Sequence, residues 1–454
     1  MARRARWTWS LAVGWVLLGA VSASARPNIV FVLVDTLRAD RLGTYGSDRV
    51  DVSPNIDAFA EQAVVFEQAI SQANWTVPSV ASLFTGLYPA SHGVDRDRND
   101  QSSATALAPG TPTLSGQLRD AGYETVALIK NGVIGDQNGL SRGFGSWTRV
   151  PGPTATLDSA ETLTEAAIGW LASRDESRSP FFLYLHYADP HSDYRAPDPF
   201  HTHYLDPTYQ GPIQGTTSEL RALSQRSDAS QAQYAPHMLA LYDAEIRYLD
   251  RHLGRLLTHL AETGRDDDTI VVLTSDHGEQ MFEHGSWLHR DLHQENIHVP
   301  MMLRGPGIPA RRVGGWVEMF DLGPTLLELT GTPQPPGLHA RSRVRQLLGT
   351  AVPPEPIYSE HHLYKAVIDG SHKLIVSATS PRGSGRHLPR LYDLDADPGE
   401  VRNLQAEEGE RLAELLALYH EIAQRNARSN PVPAAVRTLS DEELQMLRAM
   451  GYIE

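Results

Sequence analysis

Short apolar runs rich in β-branched residues alternate with helical patterns along this chain, and this alternation restricts the fold more than any other feature. Runs that are apolar at nearly every position are typical of strands covered on both faces. They are Asn28–Val34, Thr125–Ile129, Phe181–Leu185, Thr269–Thr274 and Val299–Leu303. The clearest helical pattern covers about residues 236–262 and stops before Gly264. Together they predict an α/β fold with a large, mostly parallel sheet flanked by helices.

A proline-rich segment at Val352–Pro356 marks the predicted boundary of this first domain, which we expect over residues 26–350. Beyond it, short strand patterns precede a helical pattern at about residues 410–423. We therefore predict a smaller C-terminal α+β subdomain with an antiparallel sheet and helices over residues 351–454. Ser440 and Glu443 form a capping box for a last short helix.

The first 25 residues have the pattern of a secretory signal peptide. A basic start precedes the apolar run Leu11–Val21, and Ala23–Ala25 forms a cleavage site of small residues. A retained membrane helix is the alternative, but the run is short for a span of about 20 residues. We expect an exported protein, periplasmic or extracellular, without a stable membrane span once residues 1–25 are removed.

Charge and composition exclude several classes of protein. The chain has 454 residues and a net charge of -15, with 40 Lys+Arg against 55 Asp+Glu, which argues against a nucleic-acid binder. It contains no cysteine, so disulfides, thiolate metal sites and a cysteine nucleophile are excluded. Lysine is rare, so the position of Lys130 at the end of a predicted strand is notable.

Polar side chains follow several of the predicted strands. Asp35 follows the first, His191 lies just beyond the third, and Asp276 and His277 follow the fourth. Ligands of parallel sheets bind outside the carboxyl ends of the strands, and carboxylates with imidazoles suit a divalent cation. For any one of these residues alone, a turn or a helix cap is the simpler role.

Asn74–Ser79 precedes another helical pattern, and Pro78 fits its first turn. Thr76 is therefore expected at or just before a helix N-terminus, where free N–H groups and the helix dipole favour an anion. A hydroxyl held there beside a metal can attack a tetrahedral sulfate or phosphate. A plain capping role for Thr76 or Ser79 stays open from these residues alone.

Taken together, these motifs resemble a sulfatase of the alkaline phosphatase superfamily. The matching segments, in family order, are Pro27–Arg38, Thr76–His92, Gly122–Lys130, His186–Tyr194, Thr274–His284, Val299–Gly307 and Leu391–Leu404. The resemblance implies an alkaline phosphatase-like fold and a metal-dependent hydrolase that cleaves sulfuric or phosphoric esters by in-line attack of Thr76. Its partner would be an anionic ester substrate.

The resemblance also implies roles for individual residues. One divalent metal ion would be held by Asp35, Thr76, Asp276 and His277. The catalytic group would comprise Thr76 as nucleophile, Lys130 and His191 against the charged ester, and His289 near the leaving group. Asn131 is expected to add a polar contact to the substrate.

The chain departs from the family pattern at four positions. Thr76 stands where sulfatases carry the Cys or Ser that becomes formylglycine, so no formylglycine is expected. Val80 replaces an Arg, and Thr36 replaces a second Asp. The family binds Ca²⁺, but His277 stands where many members have Asn, and an imidazole ligand suggests Mn²⁺ or Zn²⁺.

Two other functions fit these departures. Superfamily relatives with a threonine nucleophile transfer phosphoglycerol or phosphoethanolamine, so a phospho-alcohol transferase is one alternative. A catalytically inactive binding protein of the same fold is the other, although the joint presence of metal ligands and anion contacts speaks against it. The sequence indicates neither the ester preferred nor the oligomeric state.

Overall fold

A computed structural model of the chain describes residues 26–49, 51–95, 103–151, 160–175, 179–226, 228–377, 389–428, 434–441 and 444–445. The predicted signal peptide at residues 1–25 and Glu443 of the predicted capping box lie outside these ranges. Within them, no helix combines the length and the apolar character that a bilayer span requires.

Strands and helices alternate along most of the described chain. In chain order, the strands are β1 Asn28–Val34, β2 Val64–Ile70, β3 Ser103–Ala106, β4 Glu124–Ile129, β5 Ser146–Arg149, β6 Phe181–Tyr187, β7 Thr269–Ser275, β8 Gln280–Met281, β9 Trp287–Leu288, β10 His298–Arg304, β11 Arg311–Glu318, β12 Ile357–Glu360, β13 Tyr364–Asp369, β14 His372–Ser377, β15 Arg390–Asp393 and β16 Ala435–Thr438. The α-helices are α1 Pro54–Ala60, α2 Thr76–Thr85, α3 Pro89–His92, α4 Leu114–Asp120, α5 Ala160–Ser173, α6 Thr217–Ser224, α7 Ala235–Glu262, α8 Gln294–Ile297, α9 Leu322–Leu329, α10 Val344–Leu347 and α11 Gly409–Arg428.

An eight-stranded sheet forms the centre of the molecule, in the order β11-β2-β10-β7-β1-β6-β4-β5. β1 pairs in parallel with β6 and β7, whereas β10 runs antiparallel to both of its neighbours, β7 and β2. The remaining pairs are parallel. The predicted α/β fold with a large, mostly parallel sheet is therefore confirmed.

Alternation along β1 shows why the sheet needs helices on both faces. Val30, Val32 and Val34 join a buried cluster that includes residues of α5 and α7. Ile29, Phe31 and Leu33 point the other way, into a cluster with residues of α2, α4 and α9. Full burial of each large apolar side chain contributes about 1.5–3 kcal/mol, so neither face of β1 can be left in water.

The C-terminal part forms the predicted smaller α+β unit, with the antiparallel sheet β12-β13-β14-β15. Leu415 and Ile422 of α11 cover one face of it. Ile368 and Ile375 on the other face pack against Leu292 and neighbouring residues of the main domain. The short strand β16 then returns to the main domain, where it pairs with β3.

Candidate active site

The carboxyl edge of the central sheet brings the predicted site residues together. Asp35 directly follows β1, and Asp276 and His277 directly follow β7. Lys130 and Asn131 follow β4, which lies two strands from β1 on the side opposite β7, and Thr76 begins α2 after β2. His191 lies in the loop after β6 and His289 in the loop after β9.

Asp35, Asp276 and His277 form a compact cluster of potential metal ligands. Their ligand atoms lie within 4.8 Å of one another, and all three side chains are completely buried. Nε2 of His277 is 3.8 Å from Oδ1 of Asp35 and 3.6 Å from Oδ2 of Asp276. Within the described residues, Oδ1 of Asp35 accepts no hydrogen bond. A buried carboxylate oxygen without a hydrogen bond is unfavourable, and a bound cation would compensate its charge. These residues therefore fit a divalent metal ion.

The orientation of His277 is fixed by the turn that follows it. Its Nδ1 lies 2.9 Å from the carbonyl oxygen of Gly278 and donates to it, which leaves the lone pair of Nε2 facing Asp35 and Asp276. Gly278 is required there, because a Cβ on it would lie 2.0 Å from the carbonyl oxygen of Glu295. The turn therefore presents the imidazole in the tautomer that binds metals.

Electrostatics within the cluster also favour a cation. Burial and the neighbouring Asp35 carboxylate raise the pKa of Asp276 to about 7. Burial would raise the pKa of Asp35 as well, but the hydrogen bond from His186 and the charge of His191 hold it below its usual range. Burial lowers the pKa of His277, despite the attraction of Asp276. Two carboxylates this close repel each other, and a divalent ion between them removes the repulsion.

Thr76 lies beside this cluster as the first residue of α2. Its Oγ1 is 3.4 Å from Nε2 of His277, and its hydroxyl also hydrogen-bonds Asp276, which lowers the pKa of that carboxyl. Ser79, in the first turn of the same helix, donates to the carbonyl oxygen of Asp276 at 2.6 Å. The N-cap residue of α2 is Trp75, so Thr76 does not occupy the capping position. Its hydroxyl is directed at the metal-ligand cluster.

Two of the departures from the family pattern have clear structural consequences. Val80 is fully buried in the apolar cluster beneath α2, so no cation reaches the pocket from that position. Thr36 has a φ of 55°, in the left-handed region that a β-branched residue rarely adopts, and its N–H donates to Oδ1 of Asp276 at 3.2 Å. Its backbone thus supports a ligand where the family has a second aspartate.

Asn131 and His186 hold the outer oxygen of Asp35. Nδ2 of Asn131 donates to Oδ2 of Asp35 at 2.6 Å, and Nε2 of His186 donates to the same oxygen at 3.3 Å. The hydroxyl of Tyr184 in turn lies 3.0 Å from Nδ1 of His186. Sequence reasoning expected Asn131 at the substrate, and the contact in this structure is with Asp35. It assigned no role to His186, although that residue belongs to the polar cluster closing β6.

Lys130, His191 and His289 are the basic residues that the sequence predicts at this site. Lys130 and His191 are both buried, with 3% of each residue exposed. The ring centroid of His289 lies 4.7 Å from that of His277 and 6.2 Å from that of His191. Nδ1 of His289 lies 2.9 Å from Oε1 of the buried Glu279. Burial would raise the pKa of Glu279, but the charge of His289 lowers it.

A second group of potential ligands lies farther along the same loop, at His284, His293 and Glu295. Nε2 of His293 accepts a hydrogen bond from Arg390 at 3.2 Å, and His284 pairs with Glu295 at 3.3 Å. An arginine occupying the lone pair of one histidine disfavours a cation at this group. Of the two groups, Asp35, Asp276 and His277 fit a divalent cation better.

Comparison with known proteins identifies the family of the chain. A family model described as Sulfatase matches residues 27–332. Arylsulfatase K of Danio rerio is 26% identical over 437 residues, which cover 84% of this chain and 81% of that protein. Choline-sulfatase of Rhizobium meliloti is 27% identical over 443 residues, with 84% and 83% covered.

The fold has solved counterparts as well. The crystal structure of phosphonate monoester hydrolase of Agrobacterium radiobacter superposes with a TM-score of 0.70 at 21% identity and covers 88% of this chain and 96% of that one. The family match spans most of the described chain and includes every strand whose carboxyl end carries a candidate ligand. The chain therefore belongs to the sulfatase family, a family of ester hydrolases within the alkaline phosphatase superfamily.

Proposed function

We propose that this protein is an exported, metal-dependent hydrolase that cleaves sulfuric or phosphoric esters through in-line attack by Thr76. Export is supported by the signal-peptide pattern of residues 1–25. The ester class is supported by the family and by the names of the relatives, which include an arylsulfatase, a choline-sulfatase and a phosphonate monoester hydrolase.

Asp35, Asp276, His277 and Thr76 would hold one divalent ion. When bound, this ion supplies Lewis-acid stabilisation of negative charge at the nucleophile and at the ester oxygens. The mixed oxygen and nitrogen donor set favours Mn²⁺ or Zn²⁺ over the Ca²⁺ of the family. No formylglycine is needed in this scheme, because the threonine hydroxyl itself attacks.

The reaction proceeds in two balanced steps. Oγ1 of Thr76 attacks the sulfur or phosphorus and passes its proton to Asp276, while the bond to the leaving alcohol breaks with its electron pair on the alcohol oxygen. That oxygen takes a proton from His191 or His289. Lys130 neutralises charge on the equatorial oxygens. Water then attacks the threonyl ester and gives a proton to the histidine that protonated the alcohol. The bond to Oγ1 of Thr76 breaks as Oγ1 takes back the proton from Asp276, which releases the inorganic group and restores the hydroxyl.

A single observation carries this proposal: the hydroxyl of Thr76 lies 3.4 Å from Nε2 of His277 and hydrogen-bonds Asp276. A threonine at a helix start that served only as a cap would direct its oxygen at backbone N–H groups of the first turn. Here the oxygen is directed at a carboxylate and an imidazole that share a metal-binding geometry.

The test is a comparison of Thr76→Ala with Thr85→Ala. Thr85 is the same residue type at the other end of α2, where its hydroxyl donates to the carbonyl oxygen of Ala81 and accepts from the N–H of Leu87. We expect Thr76→Ala to lower kcat by at least about 10³-fold on whichever aryl sulfate, aryl phosphate or phosphate diester the wild type cleaves. Thr85→Ala should stay near the wild-type rate.

Full activity of Thr76→Ala on all three ester classes would exclude the nucleophile assigned above. The same assays repeated with added glycerol or ethanolamine address the transferase alternative. Accumulation of an acceptor ester instead of the free inorganic group would identify a transferase. Failure of the protein to bind Mn²⁺, Zn²⁺ or Ca²⁺ in calorimetry would favour the inactive binding protein.

A further inference from the structure

We propose that Glu279 is a positioning residue that holds His289 as the general acid for the leaving group. This inference rests on the proposed ester hydrolysis and deepens it, because that proposal leaves open which histidine protonates the departing oxygen. Glu279 lies two residues after His277, and the proposed mechanism gives it no other role.

Glu279 is completely buried, and both of its carboxylate oxygens are engaged. Oε1 lies 2.9 Å from Nδ1 of His289, and Oε2 accepts a hydrogen bond from the hydroxyl of Tyr194 at 3.2 Å. Tyr194 is itself fully buried and packs edge-on against the ring of Tyr242. Tyr194 therefore fixes one oxygen of the Glu279 carboxylate, and the other oxygen fixes the imidazole of His289.

This contact determines which nitrogen of His289 faces the reaction. A carboxylate only accepts hydrogen bonds, so Nδ1 of His289 carries the hydrogen that Glu279 binds. Nε2 is then the ring nitrogen that would exchange a proton with the substrate. The arrangement has the logic of a serine hydrolase triad, in which a buried carboxylate fixes the tautomer and orientation of the working histidine and stabilises it during proton transfer.

The backbone of His289 is tied to the nucleophile helix as well. Nδ2 of Asn74 donates to the carbonyl oxygen of His289 at 2.7 Å, and Asn74 lies only two residues before Thr76. The ring of His289 is next to that of His277, at a centroid distance of 4.7 Å. His289 is thus held beside the metal-ligand cluster, in the same site as the proposed nucleophile.

His191 is supported differently. Its Nδ1 lies 2.8 Å from the carbonyl oxygen of Ser192, a neutral acceptor in the adjacent residue. The charge of His191 acts on Asp35 and Glu279. The hydrogen bond at its Nδ1, however, is to a neutral carbonyl, whereas that of His289 is to a carboxylate, which stabilises an imidazolium more strongly. We therefore assign proton donation to Nε2 of His289 and contact with the ester oxygens to His191.

The proposed step involves one bond cleavage and one proton transfer. The bond between sulfur or phosphorus and the leaving oxygen breaks with its electron pair on that oxygen, and the proton of Nε2 of His289 moves to it. His289 is then neutral, and its Nδ1 keeps its hydrogen, which it donates to Glu279. In the second step, Nε2 takes a proton from the attacking water and returns to its first state.

The dependence of rate on the leaving group tests this assignment. Substituted phenyl esters of the class that the wild type cleaves are assayed with the wild type, Glu279→Gln, His289→Gln and the double variant. We expect Glu279→Gln to lose about 10²-fold or more in kcat/KM on esters of weakly acidic alcohols, the range of general acid catalysis. On the 4-nitrophenyl ester, whose leaving group needs no proton, kcat/KM should fall by no more than about 3-fold.

His289→Gln should show the same steeper dependence, and the double variant should be no worse than His289→Gln alone, because one residue acts through the other. Tyr194→Phe removes only the hydroxyl behind Glu279 and should give a smaller change in the same direction. If Glu279→Gln does not fold, the leaving-group dependence of Tyr194→Phe is the deciding measurement. A purely structural role for Glu279 would instead lower the rates of all esters by the same factor.

Each result supports or overturns the inference. Thr76-dependent hydrolysis with an unchanged leaving-group dependence in Glu279→Gln, His289→Gln and Tyr194→Phe would overturn it and leave the proposed function standing. Absence of Thr76-dependent hydrolysis in the wild type would overturn both. A steeper dependence in His191→Gln but not in His289→Gln would assign the acid to His191 and would also overturn it.

Discussion

At the scale of residues, the site is defined by two buried carboxylates that lie close to each other. Burial and the charge of Asp35 raise the pKa of Asp276 to about 7, so the pair is unfavourable until a cation compensates it. The supporting hydrogen bonds of Asp35 act on Oδ2, which leaves Oδ1 directed at the cluster. Residues that orient a metal ligand in this way commonly affect affinity as much as geometry.

Replacement of Asn131 by Ala should therefore weaken metal binding by about 10–100-fold, because Oδ2 of Asp35 loses its 2.6 Å donor. Calorimetric titration with Mn²⁺ and Zn²⁺ measures the affinity directly. Asn403→Ala, a partly buried asparagine of the C-terminal unit, is the matched control. Equal affinities in wild type and Asn131→Ala would contradict this role and would favour the substrate contact that the sequence suggested.

The sequence predicts the position of the site better than its internal contacts. Asp35, Asp276 and His277 could be chosen because each directly follows a recognisable buried strand. The pairing of Glu279 with His289 could not, since it depends on the path of the loop through β8 and β9, which has no periodic pattern. For Asn131, the direction of a single amide decides between ligand support and substrate contact, and sequence alone does not give that direction.

At the scale of elements, the loop after β7 carries most of the site in a tight backbone path. The N–H of Gly278 donates to the carbonyl oxygen of Asn296 at 2.8 Å, and a Cβ at this position would collide with the carbonyl group of Glu295. The loop between β7 and β10 is thus closed on itself immediately beside His277.

We expect Gly278→Ala to cost about 1–3 kcal/mol of stability, since its Cβ would meet a backbone oxygen that cannot move alone. Because the clash is adjacent to His277, metal affinity should fall as well. Thermal unfolding with and without metal measures both effects. Gly169→Ala on the exposed face of α5, where nothing lies within 4 Å of the new Cβ, should instead stabilise by about 0.5–1 kcal/mol. Similar changes in the two variants would show that the turn is not constrained.

The elements themselves were predicted unevenly. All five predicted strand patterns form strands of the central sheet. Runs such as residues 28–34 are easily recognised because every one of their positions is buried and nearly all are apolar. Three strands were not predicted, β2, β5 and β11. β2 includes Glu67 and Gln68, β5 has no buried position, and β11 is exposed at four of its eight positions and contains two consecutive glycines. Strands nearer the edge of a sheet have weaker patterns because less of their surface is buried.

At the scale of the whole molecule, the junction of the main domain with the C-terminal sheet holds a buried acidic pair. Oε1 of Glu318 accepts hydrogen bonds from the hydroxyl of Tyr88 at 2.7 Å and from the N–H of Tyr358 at 3.2 Å. Asp321 lies close by and is paired with Arg343 at 2.6 Å. Burial and the charge of Asp321 raise the pKa of Glu318 from 4.5 to about 8.

This shift predicts a specific pH dependence of stability. The folded protein keeps a proton on Glu318 that the unfolded chain releases above pH 4.5, so stability should fall as pH rises from 4.5 toward 8. Glu318→Gln mimics the protonated group and should remove this part of the slope, by more than about 1 kcal/mol across the window. Urea unfolding at several pH values is the measurement, with the exposed Glu421→Gln as the control for net charge. Parallel curves for wild type and Glu318→Gln would contradict the shift.

The central position of β1 has a consequence for how the protein folds during its synthesis. β1 is the first strand of the described chain and lies in the middle of the sheet. It pairs with β6 and β7, as Ile29 does with Phe182 and Asn28 with Thr269, and these partners are made roughly 150 and 240 residues later. No growing N-terminal fragment can therefore complete the sheet or gather its ligands. The candidate metal ligands come together only after residue 277 has been made, so the apolar residues of β1 must be kept from aggregating by other contacts until then.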